Sequence, residues 1–200
     1  MYKKYLAELV GTFALSFVVL AAVSFGGSLP MGVPLIAALT LGLFVYSIGP
    51  ISGCHINPAV TLGLLSVKKV SSKEAASYIL AQLLGVLVAI YLAKIFGFAT
   101  LMSSAPFSSK VFLAEAIGTF FFCFGIASVV YGQAKEQMSG LVVGGSLLLG
   151  VLAASLAGSA GILNPAVAFA LNSATMLYIL APIVGSVIGF KTYRYIVNAE

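Results

Sequence analysis

Two tripeptides, Asn57-Pro58-Ala59 and Asn164-Pro165-Ala166, are the residues of this chain best placed to do chemistry. Asparagine is a favoured helix N-cap, because its side-chain oxygen accepts from backbone N–H groups left unpaired in the first turn. Proline suits the first helical position, where its missing N–H costs nothing. Each tripeptide therefore reads as the start of a helix, with an amide NH2 left over to donate to an oxygen. The remaining chemically capable residues are sparse. His55 is the one histidine, and Cys54 and Cys123 are the two cysteines. A metal site needs several ligands, so one histidine beside one cysteine argues against one. No nucleophile–base set stands out either. No metal, cofactor or enzymatic function is expected.

The elements that must position these residues follow from the distribution of charge. Of 200 residues 61% are hydrophobic and only 8% charged, and the mean hydropathy is +1.14. A soluble domain is nearer a quarter charged, so this surface suits lipid. No Asp, Glu, Lys or Arg occurs in 9–67, 75–93, 116–134 or 137–190. A spanning helix needs about 20 mostly apolar residues. The two middle runs hold one span each, and the two long ones hold two spans and something extra. The expected spans are 5–26, 31–49, 74–96, 110–132, 138–156 and 174–193. In that layout Lys3, Lys4, Lys68, Lys69, Lys73, Lys135, Lys191 and Arg194 share the side of the N-terminus, and only Lys94 and Lys110 lie opposite. Basic residues favour the cytoplasmic side, which places both termini in the cytoplasm and the chain in the cell membrane. The net charge of +5 is thus a topology signal, and no nucleic-acid partner is implied. The two cysteines fall at membrane depth in different halves, so no disulfide framework is expected.

A shift of 107 residues lays Ala7-Glu8-x-x-Gly11-Thr12-Phe13 on Ala114-Glu115-x-x-Gly118-Thr119-Phe120. The same shift carries Ser52 to Ser159 and Asn57-Pro58-Ala59-Val60 to Asn164-Pro165-Ala166-Val167. The chain is therefore a single domain, 1–200, made of two copies, 1–96 and 110–200. Each copy holds three spans, an odd number, so the second enters the membrane upside down relative to the first. The expected helices at 58–66 and 165–172 are too short to cross about 30 Å at ~1.5 Å per residue. They can only be half-helices. Non-helical backbone at membrane depth is tolerated where it is buried in protein or lines a watery cavity. Gly53, Cys54, His55 and Ile56 before one half-helix, and Ala160, Ile162 and Leu163 before the other, are accordingly expected to line a pore. If the half-helices meet at mid-membrane, two positive helix ends of roughly +0.5 charge each converge there and repel cations and protons.

With these features the sequence resembles the aquaporin and glycerol-facilitator superfamily. The resemblance covers nearly the whole chain. It rests on the two Ala-Glu-x-x-Gly-Thr stretches, on Ser52-Gly-Cys-His-Ile-Asn-Pro-Ala-Val-Thr-x-Gly63, on Asn164-Pro165-Ala166, and on Pro182-Ile-Val-Gly185-x-x-x-Gly189. It implies an all-α membrane fold of six transmembrane helices and two re-entrant half-helices. It also implies a homotetramer in the lipid bilayer with one pore per subunit, and passive passage of small neutral solutes. The family commonly carries an arginine directly after the second Asn-Pro-Ala; here Val167 stands there, and the one arginine is the distant Arg194. Counting back from the motifs places the other outer-filter positions at Ala37, Leu152 and Gly161. On the resemblance these four form a wide, uncharged filter; on composition alone they are small or apolar packing residues. The acidic residue that glycerol facilitators often show next is absent, Ala168 standing in its place.

Glu8 and Glu115 are the carboxylates that the repeat places inside spans. An intramembrane acid can mark a proton relay or snorkel to the interface, whereas the resemblance implies that each holds a re-entrant loop through its N–H groups. His55 lines the pore or is a satisfied loop histidine. Gly11, Gly85, Gly118, Gly150, Gly185 and Gly189 read as close helix-packing positions. Two other functions share an inverted repeat or this family resemblance: a coupled secondary transporter, and a structural membrane protein with a closed pore. The 137–190 run offers a transporter no titrating centre.

Overall fold

The computed structural model describes residues 2–26, 32–98 and 107–198. The expected start of the second span at residue 31 lies outside them, as do 99–106 of the connection between the copies and the extreme ends 1, 199 and 200. The described residues hold eight α-helices and no strand: α1 Tyr2–Ser24, α2 Val33–Ser52, α3 Pro58–Ser66, α4 Ser72–Ile95, α5 Ser109–Val130, α6 Ser139–Leu156, α7 Pro165–Ala170 and α8 Met176–Ile196. Six of them are long and apolar enough to cross a bilayer. The short α3 and α7 are not.

The boundaries have local causes. Ser71 accepts from the Glu74 N–H at 3.2 Å and starts α4; Ser108 does the same for α5 through Val111 at 3.4 Å. The second span was expected to stop at residue 49, ahead of Pro50, yet α2 runs on to Ser52. Proline removes a single hydrogen bond, and Gly53, at φ 84°, closes the last turn by donating its N–H to Gly49 O. The second half-helix was expected to reach residue 172 and ends at Ala170. Asn172 takes φ 55° there, and Ser173 N–H returns to Ala168 O at 2.8 Å.

The helices interlock across the two copies. Helix α1 packs on α2 and α4, and α5 packs in the same way on α6 and α8. Helices α2 and α6 form the seam. The half-helices are exchanged: α3 lies on α8 of the other copy, and α7 on α4. The outward faces carry Leu43, Leu80, Leu87, Tyr91, Leu141 and Ile188, all exposed, as lipid permits. The interior combines large apolar side chains, among them Leu20, Phe122 and Phe190, with polar ones: Glu8, Thr12, Ser16, Gln82, Glu115 and Thr119 are fully buried.

Without a hydrophobic force between helices in lipid, close backbone approach supplies the packing. A Cβ added at Gly85 would sit 2.3 Å from the Leu9 carbonyl oxygen and 2.9 Å from Phe13 N, so α1 and α4 cross where no side chain fits. At Gly145 an added Cβ meets nothing within 4 Å. Gly85→Ala is therefore expected to lower the thermal midpoint in detergent, with an overpacking cost of about 1–3 kcal/mol. Gly145→Ala should hold or raise it, since alanine is favoured in a helix by roughly 1 kcal/mol. Circular dichroism on the pair checks this. Equal midpoints would contradict the crossing geometry.

Candidate functional site

The two half-helices begin at Asn57 and Asn164, which adopt extended backbone and cap their helices with their own side-chain oxygens. Asn57 Oδ1 accepts from Ala59 N at 2.8 Å. Asn164 Oδ1 accepts from Ala166 N at 3.0 Å and Val167 N at 3.4 Å. Each amide nitrogen then reaches across to the other copy's loop. Asn57 Nδ2 donates to Leu163 O at 3.0 Å, and Asn164 Nδ2 donates to Ile56 O at 3.1 Å. The reciprocal pair ties α3 and α7 tip to tip, and the two positive helix ends face one another there. An amide has two N–H bonds, so one remains on each asparagine.

The residues before each asparagine are bent sharply. Ile56 has φ 36° and Leu163 φ 53°, a left-handed backbone that a β-branched or bulky side chain strains to adopt. Two buried carboxylates hold it. Glu8 Oε1 accepts from Ser52 Oγ at 2.7 Å and His55 N at 2.9 Å, and Oε2 accepts from Ile56 N at 2.7 Å and Gln82 Nε2 at 2.9 Å. Glu115 repeats the pattern with fewer partners. Its Oε1 accepts from Ser159 Oγ and from Ile162 N at 3.0 Å, its Oε2 from Leu163 N at 2.8 Å. A satisfied carboxylate locked on loop N–H groups is a brace.

Beside these loops run two cavities. The larger, about 540 Å³, opens at the end that carries Lys4, Lys69 and Glu74 and is lined by Gly53, Cys54 and His55. The smaller, about 180 Å³, lies on the far side of the asparagines and is lined by Asn57, Asn164, Ile56, Ala160, Gly161 and Ile162 among aliphatic side chains. The backbone carbonyls of Gly53, Cys54 and His55, and of Ala160, Gly161 and Ile162, accept nothing from within the protein among the described residues. Buried carbonyls are seldom left unpaired, so those of Cys54, His55, Gly161 and Ile162 call for a partner such as water from outside the protein. His55 adds a further acceptor. Thr61 Oγ1 lies 3.1 Å from both His55 Nδ1 and Asn57 O, and takes a hydrogen bond from Gln82 Nε2 at 3.0 Å. One hydroxyl proton serves all three contacts only if it goes to Asn57 O while Nδ1–H donates, which leaves the Nε2 lone pair free.

The sequence model of the family described as "Major intrinsic protein" matches residues 1–193. The chain belongs to the major intrinsic protein family. Among relatives, it is 33% identical to Aquaporin AqpM of Methanothermobacter marburgensis over 243 residues, covering 98% of each chain. It is 36% identical to Glycerol uptake facilitator protein-like 6 of Lactiplantibacillus plantarum over 205 residues, covering 93% of this chain and 94% of that one. Its fold is like that of the aquaglyceroporin from Plasmodium falciparum, with TM-score 0.80 and 24% identity over 98% of this chain and 96% of that one.

Four residues were expected at an outer filter. Ala37, Gly161 and Val167 all line the smaller cavity. Leu152 does not: it is 44% exposed on the outer surface, and Val151 lines the cavity in its place. One residue along an α-helix is a turn of about 100°, enough to move a side chain from lumen to lipid. Leu163 is the second correction. Its side chain lies in the notch where Gly118 and Gly150 let α5 and α6 cross, it touches neither cavity, and its carbonyl is taken by Asn57. Pro58, Ala59, Pro165 and Ala166 are the buried first residues of the half-helices and line neither cavity. Thr61, Gln82 and Tyr78 were not foreseen. Gln82 did carry a signal, as the one amide side chain in the charge-free run 75–93.

Cys54 lines the larger cavity, whereas Cys123 is fully buried with its Sγ 3.2 Å from Ser186 Oγ. A small methanethiosulfonate reagent is therefore expected to reduce solute flux through the wild type and through Cys123→Ser, and to leave Cys54→Ser untouched. Block of Cys54→Ser at the wild-type rate would refute this placement.

Proposed function

We propose that this chain forms a passive channel for water and small uncharged solutes, with a path between the tips of α3 and α7. The carrying observation is the reciprocal Asn57–Leu163 and Asn164–Ile56 bracing at the meeting of two half-helices, set against two cavities with unpaired carbonyls. Donors from the asparagines and acceptors from the loops and His55 give a neutral solute replacements for its water contacts. The helix ends give a cation none.

Filter residues Ala37, Val151, Gly161 and Val167 offer small or aliphatic surface and no charge. This favours solutes larger or less polar than water, such as glycerol or urea, and leaves proton exclusion to the half-helix ends and the two asparagines. The repeats 1–96 and 110–200 act as one channel domain. The working form is a homotetramer, as the family resemblance implies, in the cell membrane with both termini cytoplasmic, an orientation favoured by the basic residues gathered at one end.

A coupled transporter would need a titrating group free to change partners at mid-membrane. Glu8 and Glu115 are each committed to a loop. Glycerol and urea uptake into proteoliposomes, measured with and without imposed pH and sodium gradients, decides between the two. Equal uptake is expected; uptake that follows either gradient would overturn the passive reading.

A further inference from the structure

The two cavities have only three lining residues in common: Leu41 of α2, His55 of the first loop and Phe122 of α5. All three are nearly fully buried, Leu41 and Phe122 at 2% exposure and His55 at 6%. Each of these three side chains touches both spaces, so the way from one to the other runs past them. The outer filter positions Ala37, Val151, Gly161 and Val167, by contrast, all lie along the wall of the smaller cavity alone.

We propose that the size-selecting constriction of this channel is a waist formed by Phe122, Leu41 and His55, on the terminal side of the two asparagines, and that Phe122 sets its aperture. The inference rests on the passive-channel reading. Its wall is a fixed one. His55 is held by Thr61 through Nδ1 at 3.1 Å, and its ring meets Tyr78 edge-on with centroids 4.8 Å apart. Tyr78 is held in turn by donating its hydroxyl to Ser52 O at 2.8 Å. A phenyl ring and an isobutyl group facing a braced imidazole leave one polar edge and two apolar walls. A solute passing there must be narrow, present a donor to His55, and turn its C–H surface to Phe122 and Leu41.

The test compares water, glycerol and the longer polyol erythritol in proteoliposomes carrying wild type, Phe122→Ala, Phe122→Leu, Leu41→Phe and Val167→Ala. Phe122→Ala is expected to raise the erythritol-to-glycerol permeability ratio roughly tenfold, a barrier difference of about 1.4 kcal/mol. Phe122→Leu should move it in the same direction and by less, and serves if the alanine variant fails to fold. Leu41→Phe should suppress glycerol more than water. Val167→Ala, on the wall of the smaller cavity, should raise the ratio by less than Phe122→Ala does. A ratio that responds to Val167→Ala and not to well-folded Phe122 variants would overturn the waist. If the wild type passes nothing and Phe122→Ala opens it, the waist stands and the open-channel reading falls. If both stay silent, neither survives.

Discussion

Glu8→Gln is expected to destabilise the protein severely, and more than Glu115→Gln. Glu8 is surrounded by donors on both oxygens: Ser52 Oγ and His55 N on one, Ile56 N and Gln82 Nε2 on the other. Whichever way a glutamine amide turns, its NH2 faces two of them. Each buried donor left without an acceptor costs about 1–3 kcal/mol, so two cost ~2–6 kcal/mol against a total stability of about 5–15 kcal/mol. Glu115 is more forgiving, because its Oε2 accepts from Leu163 N alone. A glutamine that places its NH2 there strands one donor, about 1–3 kcal/mol. The strained Ile56 and Leu163 backbones are released by the same changes, so transport should fall along with stability. Thermal unfolding in detergent, followed by circular dichroism, gives the order. Equal loss in the two variants, or a larger loss for Glu115→Gln, would contradict the bracing described here.

Val167→Arg is expected to produce the largest change in selectivity. It places a long cation in a cavity of about 180 Å³, where Val167 is the third residue of α7. The unpaired carbonyls of Ala160, Gly161 and Ile162 can accept guanidinium N–H bonds, which offsets the burial of charge. The result is a second, polar constriction above the asparagines. Glycerol and urea permeability should fall roughly tenfold or more, a barrier increase of at least ~1.4 kcal/mol. Water should fall less, being smaller, and cation or proton leak should fall with the added positive charge. Fluxes unchanged for every solute would mean that Val167 does not face the path.

Much of this arrangement was legible in the sequence because the repeat carried it. The constant 107-residue offset relates both half-helices, both asparagines and both carboxylates. A carboxylate three residues before Gly-Thr in an apolar span asks for a buried partner, and the family resemblance named backbone N–H groups as that partner. What the offset could not reach lies beyond each motif. Helix α8 begins 104 residues after α4 (176 against 72), because α7 is shorter than α3 and the turn after it differs. The polar braces of the first copy therefore have no counterparts at the 107-residue shift: Thr61 falls on Ala168 and Gln82 on Gly189. Side-chain direction was the other blind spot. Leu152 against Val151 is a question of one step of helical rotation, and the non-helical stretch from Gly158 to Leu163 hides the phase of α6 from any count made backwards from Asn164. Phe122 gave no sign at all. A phenylalanine in a run of three on an apolar helix looks like a lipid-facing or core residue until the other helices are placed around it.

Stopped-flow light scattering of proteoliposomes under outward-directed osmotic gradients tests the central claim most directly. Wild-type vesicles should shrink and then reswell faster than empty ones as glycerol or urea enters, at a rate proportional to the gradient and without saturation. Asn57→Asp with Asn164→Asp, which removes both cross-bracing amide donors, should abolish the difference. Wild-type vesicles indistinguishable from empty ones for water, glycerol and urea alike would contradict a passage between the half-helix tips.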